Sequence, residues 1–240
     1  MGTFLGRMGE LLFPPRCVFC DEVVPIGRPG CEGCIAGLSR MSGMLCPVCG
    51  KEPRDCVCTP EPFAFARCVS PFAYDGRVRH GIIDLKRSAK SAAIGFFGSE
   101  MAARVRLDYG DSTFTCVTYV PAASDSERGF NQAALLAGVI AGHLGLPCIA
   151  PPVVKVAGSP AQHTQNFAGR LANAQQGYVL GRGRLSGSVL LVDDVMTTGA
   201  TLSRCADLMR GAGADVVYCV TASATLRQEL PGNLSDIDID

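Results

Sequence analysis

The chain has 240 residues, enough for one large or two unequal domains, and its 22 basic residues balance 22 acidic ones. Zero net charge sets up no global field toward nucleic acid or membrane, so any such binding must be local. A 48% hydrophobic content without Trp suits a packed α/β interior and excludes a disordered chain.

Residues 1–16 hold one short apolar cluster, Leu11-Leu12-Phe13, and no long apolar run before a small-residue cleavage site, so no signal peptide is expected and the protein is read as cytoplasmic. The long apolar stretch 133–154 is broken by His143, Pro147 and Pro151-Pro152. It reads as helix, turn and strand rather than a membrane span.

Of 13 cysteines, eight fall between Cys17 and Cys58, as Cys17-x-x-Cys20, Cys31-x-x-Cys34, Cys46-x-x-Cys49 and Cys56-x-Cys58. Two thiolates on a tight turn hold two corners of a tetrahedron, and a second pair supplies the others. Two pairs of pairs imply two zinc ions. A disulfide framework has the same even count but needs an oxidising compartment. The second site is assigned to Cys46, Cys49, Cys56 and Cys58, with Cys68 as a substitute ligand because the last spacing is short. A stretch of about 45 residues with few large apolar groups needs such metals to fold, so the zinc is structural. Cys116, Cys148, Cys205 and Cys219 lie singly and read as buried, hydrophobe-like thiols. These boundaries give a zinc module over 11–62, a larger domain over 63–228 and an acidic tail over 229–240.

Beyond Pro62 helical and strand patterns alternate. Strand and turn are predicted over 71–76, helices over 77–85 and 91–106, a strand over 116–120, a helix over 131–144, strands over 153–156 and 189–192, a helix over 201–211 and a strand over 216–220. Such alternation gives a mostly parallel sheet flanked by helices.

The chemistry concentrates where the apolar run 189–192 ends in Asp193-Asp194 and then Thr197-Thr198-Gly199-Ala200-Thr201. Ligands bind beyond the carboxyl ends of parallel strands. Backbone N–H groups at the following helix start, with the Thr hydroxyls, make an anion cradle. Carboxylates on one side and a phosphate cradle on the other grip the two ends of a ribose 5-phosphate. A solvated turn, or an ordinary helix cap, would explain either half alone.

This loop resembles the signature with which type I phosphoribosyltransferases bind phosphoribosyl pyrophosphate (PRPP). The resemblance implies that Asp193 and Asp194 hold the ribose hydroxyls and that residues Thr197, Thr198, Gly199, Ala200 and Thr201 enclose the 5′-phosphate. It also implies magnesium carried on the pyrophosphate. The double zinc ribbon, Tyr74-Asp75-Gly76, Leu85-Lys86, Arg128-Gly129-Phe130-Asn131-Gln132 and Arg170-Leu171-Ala172-Asn173, followed by that loop, resemble in order the ComF family of competence-associated phosphoribosyltransferase-like proteins. Arg128 is then the expected pyrophosphate contact. The segment 122–128 departs from the family pattern, with two acids against one arginine, which leaves the charge on a departing pyrophosphate less stabilised.

Lys86 reads either as a helix C-terminal cation or as a phosphate or nucleic-acid contact. Arg170 and Asn173 read equally as a surface pair or a site wall. His80, His143 and His163 stand singly and are given no catalytic role. Two functions follow. One is phosphoribosyl transfer to a nitrogen acceptor. The other is a PRPP-regulated factor in DNA uptake that touches single-stranded DNA through Arg77, Arg79, His80, Lys86, Arg87 and Lys90.

Overall fold

The computed structural model describes residues 14–89, 91–110, 112–122, 129–156 and 177–226. Two long strands form its centre, β6 (Ser188–Met196) and β7 (Val216–Thr225), paired in parallel from Ser188↔Val216 to Met196↔Ala224. β3 (Cys116–Tyr119) pairs with β6 on one side. On the other, β1 (Arg67–Val69) and β2 (Phe72–Tyr74) pair in succession along the same edge of β7. Pro71 lies at the break between them, where its missing N–H interrupts the ladder. Every pairing in this sheet is parallel. A separate antiparallel ribbon joins β4 (Val153–Lys155) to β5 (Tyr178–Leu180).

Both central strands run further than the apolar runs 189–192 and 216–220 suggest. The β6–β7 ladder continues through Asp193↔Thr221 and Val195↔Ser223, so cross-strand hydrogen bonds carry polar residues along as strand. β1 and β5 also lie outside the strands predicted from the sequence.

Period-two alternation along β6 serves both faces at once. Leu190 and Val192 join a core with α2 (Gly76–Arg87), α3 (Ala92–Tyr109) and α4 (Gln132–Leu144), through Val78, Ile82, Phe97, Met101 and Leu136. Val189 and Leu191 join the opposite core with α5 (Ala200–Gly211), through Leu202, Cys205 and Met209. Ser91 caps α3, its side chain accepting from the N–H of Ala93. Asn131 caps α4 by accepting from Ala133 and Ala134. Among the described residues no helix is long and apolar enough to cross a membrane.

The cysteine-rich segment is bound to both faces. Cys17, Val18 and Phe19, ahead of the short α1 (Glu32–Ala36), enter the α2–α4 core. Cys49 and Val57, on either side of a short turn at Pro53–Asp55, enter the α5 core. Cys116, Cys205 and Cys219 are buried thiols as expected, but Cys148 is exposed. Its neighbours Pro147 and Ile149 hydrogen-bond to Val117 at the outer edge of β3, which leaves the intervening side chain facing out.

Candidate functional site

The site opens where the sheet loses one strand. β3 pairs with β6 only as far as Tyr119↔Val192, and Pro121 follows, whereas β6 continues to Met196. Past Val192 the β3 side of β6 is unpaired, and there Asp193 and Asp194 stand. Each carboxylate accepts from the next backbone N–H: Asp194 N to Asp193 Oδ1 at 2.9 Å, and Val195 N to Asp194 Oδ1 at 2.7 Å. These bonds fix the two carboxylates against the backbone of β6.

Two side chains converge on Asp194. Lys86 Nζ, in the last turn of α2, lies 3.2 Å from Asp194 Oδ2, and Gln132 Nε2 donates to the same oxygen at 3.1 Å. Burial opposes ionisation of Asp194, yet the Lys86 ammonium, helped by Gln132, holds its carboxyl below the usual carboxylate range. For Asp193, burial and the neighbouring charge of Asp194 push the carboxyl well up. Lys86 itself is raised, first by Asp194. Asp194 is 8% exposed. The site therefore places one carboxylate held ionised beside one biased toward the proton.

Lys86 thus occupies an ion pair at the acid site rather than a helix-end solvent position, and Gln132, quoted above only as part of a motif, is a site residue. Asn131 donates from Nδ2 to Val120 O at 2.9 Å, tying the start of α4 to the end of β3. That tie delivers Gln132 to Asp194. Arg128, Arg170, Asn173, His163 and Lys90 lie outside the described residues. His143 pairs with Ser99 through Nε2 at 3.1 Å, and His80 lies 3.8 Å from Asp21, both remote from the acid pair in their contacts.

After β6 the chain turns through Thr197, Thr198 and Gly199 into α5, whose N-cap is Gly199 at φ 77° with no side-chain cap. Thr198 Oγ1 accepts from Ala200 N at 3.3 Å. The remaining first-turn N–H groups are those that a helix leaves without intrahelical partners, and they lie at the positive end of its dipole. Phe63 packs against the turn, its ring 3.0 Å from where a Cβ at Gly199 would stand. Lys51, 0% exposed, donates from Nζ to Thr197 O at 2.7 Å, to Thr225 O at 2.8 Å and to Thr225 Oγ1 at 3.2 Å. Burial lowers its ammonium to about 8.

The eight N-terminal cysteines form two clusters, Cys17, Cys20, Cys31, Cys34 and Cys46, Cys49, Cys56, Cys58, with the sulfurs of each within 4.8 Å of one another. Zinc–sulfur bonds of about 2.3 Å in a tetrahedron require sulfurs about 3.8 Å apart. Cys20 and Cys31 are 3.8 Å apart, Cys17 and Cys31 4.0 Å, Cys46 and Cys58 3.7 Å, and Cys49 and Cys56 3.6 Å. Burial alone would raise Cys17 and Cys46. Hydrogen bonds from the backbone of Cys31 and Phe19 to the first, and of Cys49 and Val48 to the second, bring both to about 7. The two sets fit two structural zinc ions, all four positions of each being thiolates. Cys68 is fully buried and belongs to neither cluster.

Two family models agree with this architecture. The double zinc ribbon domain model matches residues 8–69, and the phosphoribosyl transferase domain model matches residues 135–239. Over 222 residues the chain is 27% identical to the DNA utilization protein YhgH of Salmonella typhimurium, covering 88% of this chain and 98% of that one. The protein of the same name from Escherichia coli is 25% identical over the same share. Among solved structures, the adenine phosphoribosyltransferase of Thermoanaerobacter pseudethanolicus superposes with a TM-score of 0.37 at 16% identity, covering 57% of this chain and 82% of that one. The glutamine PRPP amidotransferase of B. subtilis gives 0.34 at 20% identity, over 60% of this chain and 27% of that one.

Proposed function

Taking as premise that the chain is of the ComF type, a double zinc ribbon joined to a phosphoribosyltransferase domain, we propose that it binds PRPP at 189–201 and transfers the phosphoribosyl group to a nitrogen acceptor. The observation that carries this reading is the overhang of β6 past β3, which sets two fixed carboxylates beside a helix start whose N-cap, Gly199, has no side chain. Asp193 and Asp194 accept from the ribose hydroxyls. The N–H groups and hydroxyls of Thr197, Thr198, Gly199, Ala200 and Thr201 take the 5′-phosphate. Lys86 and Gln132 hold Asp194 ionised and in one orientation, so it is ready to accept without rearranging.

In the transfer the bond from the anomeric carbon to pyrophosphate breaks, the bond to the acceptor nitrogen forms, and that nitrogen gives up a proton to solvent. Arg128 is assigned to the departing pyrophosphate. Magnesium would neutralise charge on that leaving group. A cytoplasmic setting, which keeps the thiolates reduced, belongs to the same proposal.

Calorimetric titration with PRPP tests the site: Asp193→Ala/Asp194→Ala is expected to abolish measurable binding, and unchanged affinity sinks the assignment. Turnover is tested by pyrophosphate release from PRPP and magnesium across a panel of nucleobases and amines. No release with any acceptor, despite PRPP binding, would leave the second reading, a PRPP-regulated factor that binds single-stranded DNA.

That second reading draws on the DNA utilization name of the relatives and on α2, where Arg77, His80 and Arg87 are exposed. Arg77 and His80 also line a cleft of about 520 Å³ against the first ribbon. Its mark is single-strand affinity that falls steeply with salt and is lost with Arg77→Ala/Arg87→Ala.

A further inference from the structure

We propose that Lys51, carried by the second zinc ribbon, is a positioning residue for the phosphate cradle: it holds the Thr197 carbonyl and thereby turns the Thr198 N–H toward the 5′-phosphate. The inference rests on the PRPP reading above and adds to it a reason for the zinc ribbon to be there.

Three observations converge. Lys51 is wholly buried, and its three ammonium protons have three acceptors, Thr197 O, Thr225 O and Thr225 Oγ1. Its backbone is part of the metal knuckle: Lys51 O accepts from Cys46 N at 2.7 Å, and Gly50 N donates to Cys46 O at 2.9 Å. The knuckle in turn is seated on the sheet, with Cys68 N donating to Val48 O at 2.8 Å. A rigid path therefore runs from the four thiolates through Lys51 to the turn after β6.

The effect on the cradle follows from peptide geometry. The chain has no cis peptide bonds among the described residues, and in a planar trans peptide the C=O of one residue and the N–H of the next point in opposite directions. With the Thr197 carbonyl drawn onto Lys51, the Thr198 N–H faces the other way, away from Lys51. The cation also polarises that peptide and makes its N–H a stronger donor to an anion. A competing explanation is that Lys51 only neutralises the negative charge of a tetrathiolate zinc site. Its donors are all spent on the carbonyls and hydroxyl of Thr197 and Thr225, which favours the positioning role.

The experiment uses the full chain with both zinc ions, ribose 5-phosphate as ligand, calorimetry, and the amide resonance of Thr198. In wild type, saturation with ribose 5-phosphate is expected to move the Thr198 amide downfield. Lys51→Met, with zinc content still at two, is expected to bind about tenfold or more weakly and to lose that amide response. Unchanged affinity in a two-zinc Lys51→Met protein overturns the proposal. Should the variant not fold, the wild-type spectrum decides: a Thr198 amide that ignores bound ribose 5-phosphate also overturns it. If wild type binds neither PRPP nor ribose 5-phosphate, the PRPP reading itself has failed, an outcome distinct from either of these.

Discussion

The two zinc ribbons have the same ligands and a similar size, yet the directional bonds that join them to the α/β domain end in different places. The first is attached through an apolar wedge, and the segment that leaves it is bonded to the sheet edge by Ala73 N donating to Ser39 O at 2.8 Å and Met41 N to Pro71 O at 2.9 Å, neither of them on the phosphate turn. Phe19 sits edge-on to Phe96 and Phe97, with ring centroids 5.4 and 6.3 Å away, and lies over Gly81 of α2. The second adds, to the apolar contacts of Cys49 and Val57, directional bonds from Val48 to Cys68 and from Lys51 to Thr197 and Thr225. Apolar packing stabilises in rough proportion to buried area and tolerates small shifts. A hydrogen-bonded strut transmits position. The first ribbon therefore reaches the site only indirectly, through α2 and Lys86 at its end, while the second touches the phosphate turn itself.

Loss of one metal should separate them most. A structural zinc contributes on the order of 10 kcal/mol to the fold that holds it. Cys49→Ser and Cys20→Ser are each expected to lower the zinc content from two toward one. Cys49→Ser should also abolish ribose 5-phosphate binding, whereas Cys20→Ser should lower the melting temperature and leave the affinity of the folded protein nearly unchanged. Metal analysis with calorimetry on the two variants checks this, and equal loss of affinity in both would erase the distinction.

The next effect concerns the end of the indirect route. Lys86→Met removes one partner of a largely buried pair, which should cost about 3 kcal/mol at neutral pH. The pH dependence has a definite sign. Asp194 has a folded-state value below its unfolded one of about 3.9, so its stabilisation is complete above that value and is lost as pH falls through the folded one. Lys86 is raised, so its share persists up to its unfolded value of about 10.4 and is lost only at higher pH. Urea unfolding should therefore show a constant gap between wild type and Lys86→Met from pH 6 to 9, closing in strong acid. A gap that closed at neutral pH would place the stabilisation elsewhere.

How far the sequence discloses this arrangement depends on the range of each contact. The cysteine pairs and the acid–threonine loop are local patterns, in which chemistry and spacing lie within a dozen residues, and they are legible. The parallel sheet is legible too, because buried strands read as apolar runs. The length of β6 is not, since Asp193 to Met196 are held as strand by the ladder to β7 and not by their own propensity. Lys51 reads as an ordinary charge beside a knuckle, and its partners lie 146 and 174 positions away. Lys86 and Gln132 are visible as motif members, but their meeting at Asp194 exists only once α2 and α4 share one face of the sheet. Arg67, bound to Asp108 at 2.8 Å across the start of the sheet, is equally silent in sequence.

Two glycines provide the finest comparison, one under each ribbon. Gly50 has φ 68°, and a Cβ there would stand 2.3 Å from Cys68 O, a backbone atom that cannot swing aside. Strain and overlap together should make Gly50→Ala cost about 3 kcal/mol or more, with ribose 5-phosphate affinity falling because Lys51 is the next residue. Gly81 is helical, and a Cβ there would stand 2.7 Å from the ring edge of Phe19, the far end of a side chain that can yield. Overpacking costs about 1–3 kcal/mol, but alanine in a helix interior returns about 0.5–1 kcal/mol relative to glycine. The net for Gly81→Ala is about 1 kcal/mol, taken up by a tilt of the first ribbon and not by movement of the phosphate turn. Urea midpoints give the stabilities and calorimetry the affinities. Should Gly81→Ala weaken ribose 5-phosphate binding as much as Gly50→Ala does, the wedge transmits position as well as the strut, and the two attachments are equivalent.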